Sequence, residues 1–245
     1  MRRRFFVERF ANGAARLEGE SARHLGRVLR AEPGQIYELS DGESIFLARV
    51  DRVSSQQVDF SLLEALPACA PRFQTSLLLA LVKFDRFEWA LEKATELGVD
   101  TIVPLAAERS EKAFVAAAAK RAARWQKILL ESAQQARCVR VPVLQAAMRP
   151  ASAFAQSVAP VRVLLSERAG APPIQAVFSG AASKRVEGEP LRIDLSVGPE
   201  GGWTEREFQT ASSAAFVEAS LGKSILRTET AVIAGLAAAH LYFDA

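Results

Sequence analysis

From residue 72 onward, the chain alternates short, mostly apolar runs with longer segments of helical character, and this pattern constrains the fold most strongly. The mostly apolar runs occupy residues 76–82, 101–105, 161–165, 191–197 and 216–219. Mostly apolar strands that alternate with helices are typical of a parallel sheet covered on both faces. The pattern therefore predicts an α/β domain over residues 71–245, built on a parallel sheet.

The preceding segment has a different pattern. Strand-like runs at 36–39, 45–50 and 58–63 are separated by turn signals, and a short helix is predicted around residues 20–29. Short strands with frequent turns are typical of a small β-barrel or sandwich. Pro67 and Pro71 bracket a stretch that resists both helix and central strand, so we place the boundary of a first domain at residues 1–70.

Helix ends are marked by local signals in the second domain. Asp85 with Glu88, and Thr204 with Glu207, have the spacing of a capping box, and Gly98 follows the first of these helices as a C-terminal cap.

The last helix carries a stripe of side chains at helical spacing, which predicts that this face packs on the sheet. The stripe consists of Ile233, Leu236, Ala237, His240 and Leu241. Its histidine is therefore expected in the core or at an interface rather than in catalysis.

Composition excludes several classes of protein. No apolar run approaches the roughly 18 to 20 residues of a membrane helix, and the N-terminal segment turns polar at Glu8, so we expect a cytoplasmic protein with no membrane contact. Two cysteines and two histidines are too few for a disulfide framework or a zinc cluster, so no metal is expected. The net charge of +3 permits a nucleic-acid partner without requiring one.

Two glycine-containing junctions follow predicted strands of the second domain. Gly198-Pro199-Glu200-Gly201-Gly202 follows the run at 191–197, and Leu221-Gly222-Lys223-Ser224 follows the run at 216–219. Ligands of open α/β sheets bind at the carboxyl ends of the strands, where glycine lets the backbone approach them closely. The junctions predict a ligand site, although a tight turn could also require these glycines.

Two nucleotide-binding motifs can be tested against these junctions. Gly222-Lys223-Ser224 resembles the end of a phosphate-binding P-loop, but that motif requires glycine at position 217, where the chain has Val217. The run at 198–202 lacks the Gly-x-Gly-x-x-Gly spacing of dinucleotide folds. Neither an NTPase nor a nicotinamide-dependent enzyme is therefore expected.

The two junctions, extended to residues 195–202 and 221–231, resemble the C-terminal signature motifs of the SPOUT methyltransferases, and of the RsmE family in particular. The resemblance continues upstream at residues 24–30, 93–99, 108–110 and 132–137, so it spans nearly the whole chain. It implies a PUA-like RNA-binding β-barrel over residues 1–70. It also implies a SPOUT methyltransferase domain over residues 71–245, with a parallel sheet, a C-terminal trefoil knot and a homodimeric assembly.

The resemblance further implies that S-adenosylmethionine binds to three loops of the knot. The matching positions are Leu165, Ser166, Glu167, Gly198, Pro199, Glu200, Gly201, Gly202, Leu221, Gly222, Ser224, Ile225 and Leu226.

The implied reaction is methylation of N3 of a uridine in 16S ribosomal RNA of the small ribosomal subunit. Removing the N3 proton leaves negative charge on the base, which a guanidinium can stabilise. Arg227 is the first candidate for that role, with Arg109 and Arg137 as further members of the site. Glu229 or Glu200 could accept the proton, although Glu229 could equally be a first-turn carboxylate stabilised by the helix dipole.

RNA phosphates would be gripped by arginines of the first domain, namely Arg2, Arg3, Arg4, Arg9, Arg27 and Arg30. Composition alone explains these arginines equally well. Two other functions stay open at this point: a methyltransferase acting on transfer RNA or on a ribose 2'-hydroxyl, and a non-catalytic RNA-binding assembly factor. The intact glycine loop with Arg227 and Glu229 favours catalysis.

Overall fold

The computed structural model describes residues 3–68, 70–181, 186 and 188–244. Its internal contacts divide the chain into two compact units, one comprising Met1–Cys69 with Leu130–Val141 and the other comprising Ala70–Leu129 with Pro142–Ala245. The division expected from the sequence assigned residues 130–141 to the second domain, because a long helix gives no local signal that its last turns join another unit.

The first unit is built on a six-stranded sheet of order β1-β4-β5-β6-β3-β2. The β1–β4 pair is parallel and the other pairs are antiparallel. The strands are β1 (Arg4–Phe6), β2 (Phe10–Ala11), β3 (Ala14–Glu18), β4 (Ile36–Ser40), β5 (Ile45–Val53) and β6 (Gln57–Leu66). Helix α1 (Gly19–Arg23) continues into a π-helical turn, His24–Val28, so the predicted strands and short helix are confirmed. Phe5, Leu25, Leu39 and Phe60 are buried in its core.

The second unit contains a six-stranded sheet of order β12-β10-β11-β7-β8-β9 in which every pair is parallel. Its strands are β7 (Phe73–Ala80), β8 (Thr101–Leu105), β9 (Val143–Leu144), β10 (Val161–Leu165), β11 (Leu191–Val197) and β12 (Val217–Ala219). The helices are α2 (Phe84–Glu96), α3 (Lys112–Ala136), α4 (Pro150–Gln156), α5 (Ile174–Ala181), α6 (Glu205–Ser213) and α7 (Thr228–Phe243). The predicted parallel α/β sheet is confirmed.

Two of the three predicted helix-end signals are confirmed. Thr204 Oγ1 accepts a hydrogen bond from the Glu207 amide at 3.3 Å, and Glu207 Oε2 accepts one from the Thr204 amide at 2.9 Å, which completes the capping box of α6. Gly98 follows the end of α2 with φ of +71°, a backbone conformation that favours glycine.

The capping box predicted for α2 is wrong. The helix begins two residues earlier than predicted, at Phe84 with Lys83 at its N-cap position, and Asp85 pairs with Lys83 at 3.1 Å instead of capping. Glu88 does not reach back to the helix start, because its carboxylate binds Arg124 at 2.8 Å. With Lys83 at the N-cap position, Glu88 lies beyond the third residue of the helix, where a capping box needs its carboxylate, and it pairs with a guanidinium instead.

The predicted buried stripe of α7 is also wrong in part. The buried residues are Val232, Gly235, Leu236, Ala239 and Phe243, whereas Leu241 is 81% exposed. Almost every position of α7 is apolar, so spacing alone cannot identify the packed face. The packed face is set by the close approach of Gly235 to β11, since a Cβ atom at position 235 would lie 2.9 Å from Leu195 Cδ2.

His240 contacts the body of the second unit. Its Nε2 lies 2.6 Å from the carbonyl oxygen of Leu97, and its ring packs edge-on against Phe73. These contacts fit the structural role expected for it. Among the described residues, no helix is both long enough and apolar enough to cross a lipid bilayer.

Candidate active site

Three loops of the second unit surround a cavity of about 280 Å³. They follow β10, β11 and β12, which are neighbours in a parallel sheet, so their carboxyl ends lie along one edge. We call residues 166–168 the first loop, 198–203 the glycine loop and 220–226 the third loop. The cavity is lined by Arg109, Leu165, Ser166, Glu167, Arg168, Val197, Gly198, Pro199, Glu200, Gly202, Trp203, Glu205, Phe208, Ser220, Leu221, Gly222, Ser224, Leu226, Thr228 and Ala231.

Trp203 fixes the glycine loop to the end of β10. Its indole Nε1 donates a buried hydrogen bond to the carbonyl oxygen of Leu165 at 3.1 Å. A Cβ atom at position 198 would lie 3.0 Å from the indole ring, so a side chain there would press on Trp203. The contacts of Trp203 with Leu165 and Gly198 therefore shape this part of the cavity.

The third loop and the start of α7 are held by short polar contacts. Ser220 Oγ donates to the carbonyl oxygen of Gly222 at 2.9 Å and accepts from the Gly222 amide at 3.2 Å. Thr228 Oγ1 donates to the carbonyl oxygen of Gly198 at 3.0 Å, which ties the first turn of α7 to the glycine loop. These bonds keep the backbone of both loops in place around the cavity.

Arg109 forms part of the cavity wall and holds the glycine loop by its backbone carbonyl groups. Its Nη1 donates to the carbonyl oxygen of Gly201 at 2.6 Å and to that of Trp203 at 3.3 Å. A Cβ atom at position 201 would lie 3.3 Å from Arg109 Cδ. A side chain at position 201 would therefore crowd the arginine, and this contact lies within the protein, whereas the sequence pattern predicts close approach to a ligand.

A second contact supports the same wall. Glu207, which caps α6, also accepts a hydrogen bond from the Glu108 amide at 2.9 Å through its other carboxylate oxygen. One buried carboxylate thus joins the segment that carries Arg109 to the helix that follows the glycine loop.

The charged groups around the cavity are mostly paired. Glu200 binds Arg86 at 3.2 Å, and Glu205 binds Arg168 at 2.7 Å. The Arg168 guanidinium also lies 4.2 Å from the centre of the Phe208 ring.

The carboxylate of Glu167 differs from these, because it has no hydrogen bond or ion pair within the described residues. It lies beside Gly202, where a Cβ atom would be 3.4 Å from Glu167 Oε1 and where φ is +68°. An unpaired carboxylate at the cavity rim favours a ligand that carries positive charge.

Two of the predicted catalytic residues, Arg227 and Glu229, lie at the start of α7. Arg227 precedes the helix at its N-cap position, is exposed, and makes no side-chain hydrogen bond or ion pair in the described part of the chain. Glu229 is only 6% exposed, and its Oε2 has no hydrogen-bond partner there. Neither residue lines the cavity, although Leu226 and Thr228 beside them do.

The structure places Arg137 in the first unit, where it forms an ion pair with Glu38. Glu38 is almost completely buried and also binds Arg4 at 3.0 Å. Arg137 has φ of +58° and follows the end of α3. Nothing in the local sequence indicates this pairing, because the partners are far apart along the chain.

The predicted RNA-binding arginines have different environments. Arg4 is buried in the ion pair with Glu38, so its guanidinium is withdrawn from solvent. Arg3, Arg9, Arg27 and Arg30 are exposed, and Arg2 lies outside the described residues.

Of the positions that the resemblance assigns to the cofactor, all line the cavity except Gly201 and Ile225. Ile225 is 77% exposed. Sequence reasoning did not assign Arg168, Val197, Trp203, Glu205, Phe208, Ser220, Thr228 and Ala231 to the cavity. Trp203 had a usable signal, since a large aromatic residue directly after a glycine run must pack nearby. Over the described part of the chain, no group of three or more metal-ligating side chains occurs.

Comparisons with known proteins identify the family of the chain. The RNA methyltransferase domain family matches residues 69–240. Ribosomal RNA small subunit methyltransferase E from Bacillus subtilis is 31% identical over 236 residues, which cover 91% of this chain and 88% of that protein.

Solved structures show the same similarity over nearly the whole chain. Ribosomal RNA small subunit methyltransferase E from Neisseria gonorrhoeae, crystallised with S-adenosyl methionine, has a TM-score of 0.84 and 29% identity, covering 98% of each chain. A putative methyltransferase from Legionella pneumophila, also solved with that cofactor, has a TM-score of 0.84 and 26% identity, again covering 98% of each chain. The expected SPOUT-type α/β fold class is thereby confirmed, and the chain belongs to the RsmE family of RNA methyltransferases.

Proposed function

We propose that this protein transfers the methyl group of S-adenosylmethionine to N3 of a uridine in small-subunit ribosomal RNA. The observation that carries the proposal is the three-loop cavity at the ends of β10, β11 and β12. It occurs in a chain whose whole fold is shared with the Neisseria protein crystallised with that cofactor.

The residues around the cavity fit this cofactor. Sites for small molecules have volumes of roughly 300 to 1,000 Å³, and the cavity of about 280 Å³ is close to that range. S-adenosylmethionine carries a sulfonium and an ammonium, and the unpaired carboxylate of Glu167 offers a partner for positive charge. Leu165, Val197 and Leu226 supply apolar surface for its uncharged parts. When bound, the cofactor supplies a methyl group already activated on the sulfonium.

The protein must then position the uridine and stabilise the charge that develops when N3 loses its proton. Arg227 suits this task because its guanidinium is exposed and free of partners within the described residues, beside a lining residue of the cavity. A planar pair of N–H donors can bind the carbonyl oxygen next to N3, and such stabilisation is often the largest catalytic contribution.

Two further side chains have proposed roles at this site. Arg109 fixes the carbonyl groups of Gly201 and Trp203, so we assign it to positioning the glycine loop. Glu229 is buried with an oxygen that lacks a partner among the described residues, which supports either proton acceptance or a favourable interaction with the N-terminus of α7.

Arg137, the fourth predicted catalytic residue, is engaged with Glu38 in the first unit. That pairing supports a role in stabilising the end of α3 against the first sheet. The catalytic set that we propose is therefore Arg227 and Glu229, with Arg109 as a positioning residue.

We also propose the assembly that the family resemblance implies: a trefoil knot in the chain around the third loop, and a homodimer. Leu241 on α7 and Trp89 on α2 are 81% and 43% exposed, and both belong to the second unit. Large apolar side chains on neighbouring helices are a typical feature of surfaces that a second subunit covers. The exposed arginines Arg3, Arg9, Arg27 and Arg30 would bind RNA phosphates from the first unit.

The proposal is tested by binding and by loss of the modification. Titration calorimetry in the presence of EDTA should show S-adenosylmethionine binding, with no competition from NADH or ATP. Mass spectrometry of ribosomal RNA nucleosides from a strain that lacks the gene should show loss of 3-methyluridine, restored by the wild-type gene. Cofactor binding that requires Mg²⁺, or an unchanged nucleoside profile, would contradict the proposal.

A further inference from the structure

The part of α3 that lies in the second unit is strongly and uniformly basic. Between residues 112 and 130 the chain contains five cationic side chains and no carboxylate. They are Lys112, Lys120, Arg121, Arg124 and Lys127. Several other cations of this unit are paired with nearby carboxylates, as Lys93 is with Glu92 and Glu96. A solvated helix face normally mixes both signs of charge, so this segment is unusual.

The packing of α3 fixes which face carries the charge. Trp125 and Leu129 are buried, and the Trp125 ring contacts Phe87 with centroids 4.7 Å apart. Lys120, Arg124 and Lys127 follow the i, i+4, i+7 spacing that places side chains in one row on a helix. This row spans about 10 Å along the axis, and Lys112 extends it by two further turns.

The row is accessible to a large, rigid partner. Lys112, Lys120, Arg124 and Lys127 are all exposed. The residues between them are mostly alanines, at 113, 116–119, 122 and 123. Because alanine side chains are short, the cationic groups project beyond their neighbours. Long neutral side chains at the same positions would keep a partner away from the charges.

Internal neutralisation of the row is incomplete. Glu88 is the carboxylate that binds Arg121 and Arg124, at 3.4 and 2.8 Å. Arg124 remains 62% exposed in that pair, so part of its guanidinium still faces solvent. Lys112 and Lys120 make no ion pair within the described residues. Lys112, Lys120 and the exposed part of Arg124 therefore present positive charge along this face.

We infer that this basic face of α3, defined by Lys112, Lys120, Arg124 and Lys127, binds the phosphate backbone of RNA. The inference rests on the proposed function, which supplies an RNA substrate, and adds a contact surface in the second unit to the arginines of the first. Regularly spaced phosphates match a row of exposed cations, whereas contact with backbone alone confers no sequence preference.

The test removes charge from the face without reversing it. A triple variant, Lys112→Gln with Lys120→Gln and Lys127→Gln, is compared with a control that removes three exposed cations elsewhere in the second unit. The control carries Arg149→Gln, Arg192→Gln and Arg206→Gln, so both proteins have the same net charge. Binding of a fluorescein-labelled RNA hairpin is measured over a series of salt concentrations, alongside melting temperature and calorimetric binding of S-adenosylmethionine.

The face variant should bind the hairpin about tenfold or more weakly at moderate salt. The slope of log affinity against log salt should fall by about 2 to 3, close to one for each phosphate that the variant no longer binds. Cofactor affinity and melting temperature should stay at wild-type values, and the control should keep most of its RNA affinity. Equal reductions of affinity in both variants, or displacement of the hairpin by polyglutamate as effectively as by unlabelled RNA, would overturn the inference.

The two proposals can fail separately. Absence of any ribosomal RNA methylation, with a salt-dependent defect still confined to the face variant, would reject the proposed function and keep the RNA contact. Full methylation with unchanged hairpin binding in the face variant would reject the RNA contact alone.

Discussion

The side chain of Arg109 packs closely against Gly201. Its Cδ atom would lie 3.3 Å from a Cβ at Gly201, while its Nη1 donates to the Gly201 carbonyl oxygen at 2.6 Å. The arginine thus leaves little room for a side chain at position 201 and fixes the backbone there. The glycine loop is held by this pair, which brings together two segments far apart in the sequence.

We therefore predict that Gly201→Ala weakens S-adenosylmethionine binding by about tenfold, because Arg109 must move and the loop carbonyls shift with it. In an Arg109→Ala background, Gly201→Ala should reduce the affinity for S-adenosylmethionine much less, because the contact between the two side chains is then absent. Calorimetry on the four proteins of this cycle measures the coupling. Gly180→Ala is the matched control, since a Cβ there meets nothing within 4 Å. Additive effects of the two substitutions would show that the pair is not coupled.

Much of the second unit could be predicted because its signals are local. The runs at 101–105, 161–165 and 191–197 are mostly apolar, and the structure places strands at the same residues. The three-loop cavity follows from topology, since the carboxyl ends of neighbouring parallel strands meet at one edge.

Other features could not be read from the sequence because long-range contacts decide them. The pairing of Arg137 with Glu38 joins residues 99 positions apart. The packed face of α7 depends on the close approach of Gly235 to Leu195, which an almost uniformly apolar helix does not reveal. In each case a tertiary contact prevails over the periodic pattern.

Experiment can distinguish the proposed catalytic role of Arg227 from a purely structural role. Arg227→Ala should leave cofactor affinity nearly unchanged but lower the single-turnover methylation rate by about 10²-fold, the scale of losing one charge-stabilising donor. Arg227→Lys should recover only part of the rate, because an ammonium keeps the charge without the planar fork. Melting temperature and sedimentation are measured on the same samples. A normal rate in well-folded Arg227→Ala would remove this residue from the mechanism.

Asp194 should make stability depend on pH. It lies on β11 with 8% exposure, and burial raises the pKa of its carboxyl. The hydroxyl groups of Ser157 and Ser76, and then the charges of Arg162 and Arg192, offset this effect only partly. The folded state therefore holds this proton more tightly than the unfolded state. The resulting stabilisation is present below the ordinary carboxyl pKa and is lost as the pH rises through the raised pKa of the folded state.

Asp194→Asn stays neutral throughout, so its melting temperature should exceed that of the wild type by a few degrees at pH 7. The difference should shrink toward zero as the solution is acidified below about pH 4, near the ordinary carboxyl pKa. Thermal melts across this range provide the measurement. A variant that is less stable than the wild type at neutral pH would contradict the expected burial cost.

The proposed homodimer predicts a defined effect at Leu241. Leu241→Glu replaces an apolar side chain, 81% exposed in the single chain, with a charged one. This change should shift the protein from dimer to monomer in sedimentation velocity. Leu63→Glu is the matched control, because Leu63 is 49% exposed but lies in the first unit. A wild-type sedimentation pattern for Leu241→Glu would place the dimer contact elsewhere.

Methyl transfer in a purified system is the decisive test of the proposed reaction. The protein is incubated with methyl-labelled S-adenosylmethionine and small-subunit ribosomal RNA from a strain that lacks the gene, and the RNA is digested to nucleosides for mass spectrometry. We predict that the label appears in 3-methyluridine, without added metal, and that Arg227→Ala slows its appearance. Absence of label from the RNA, or label found only as a ribose 2'-O-methyl group, would contradict the proposed reaction.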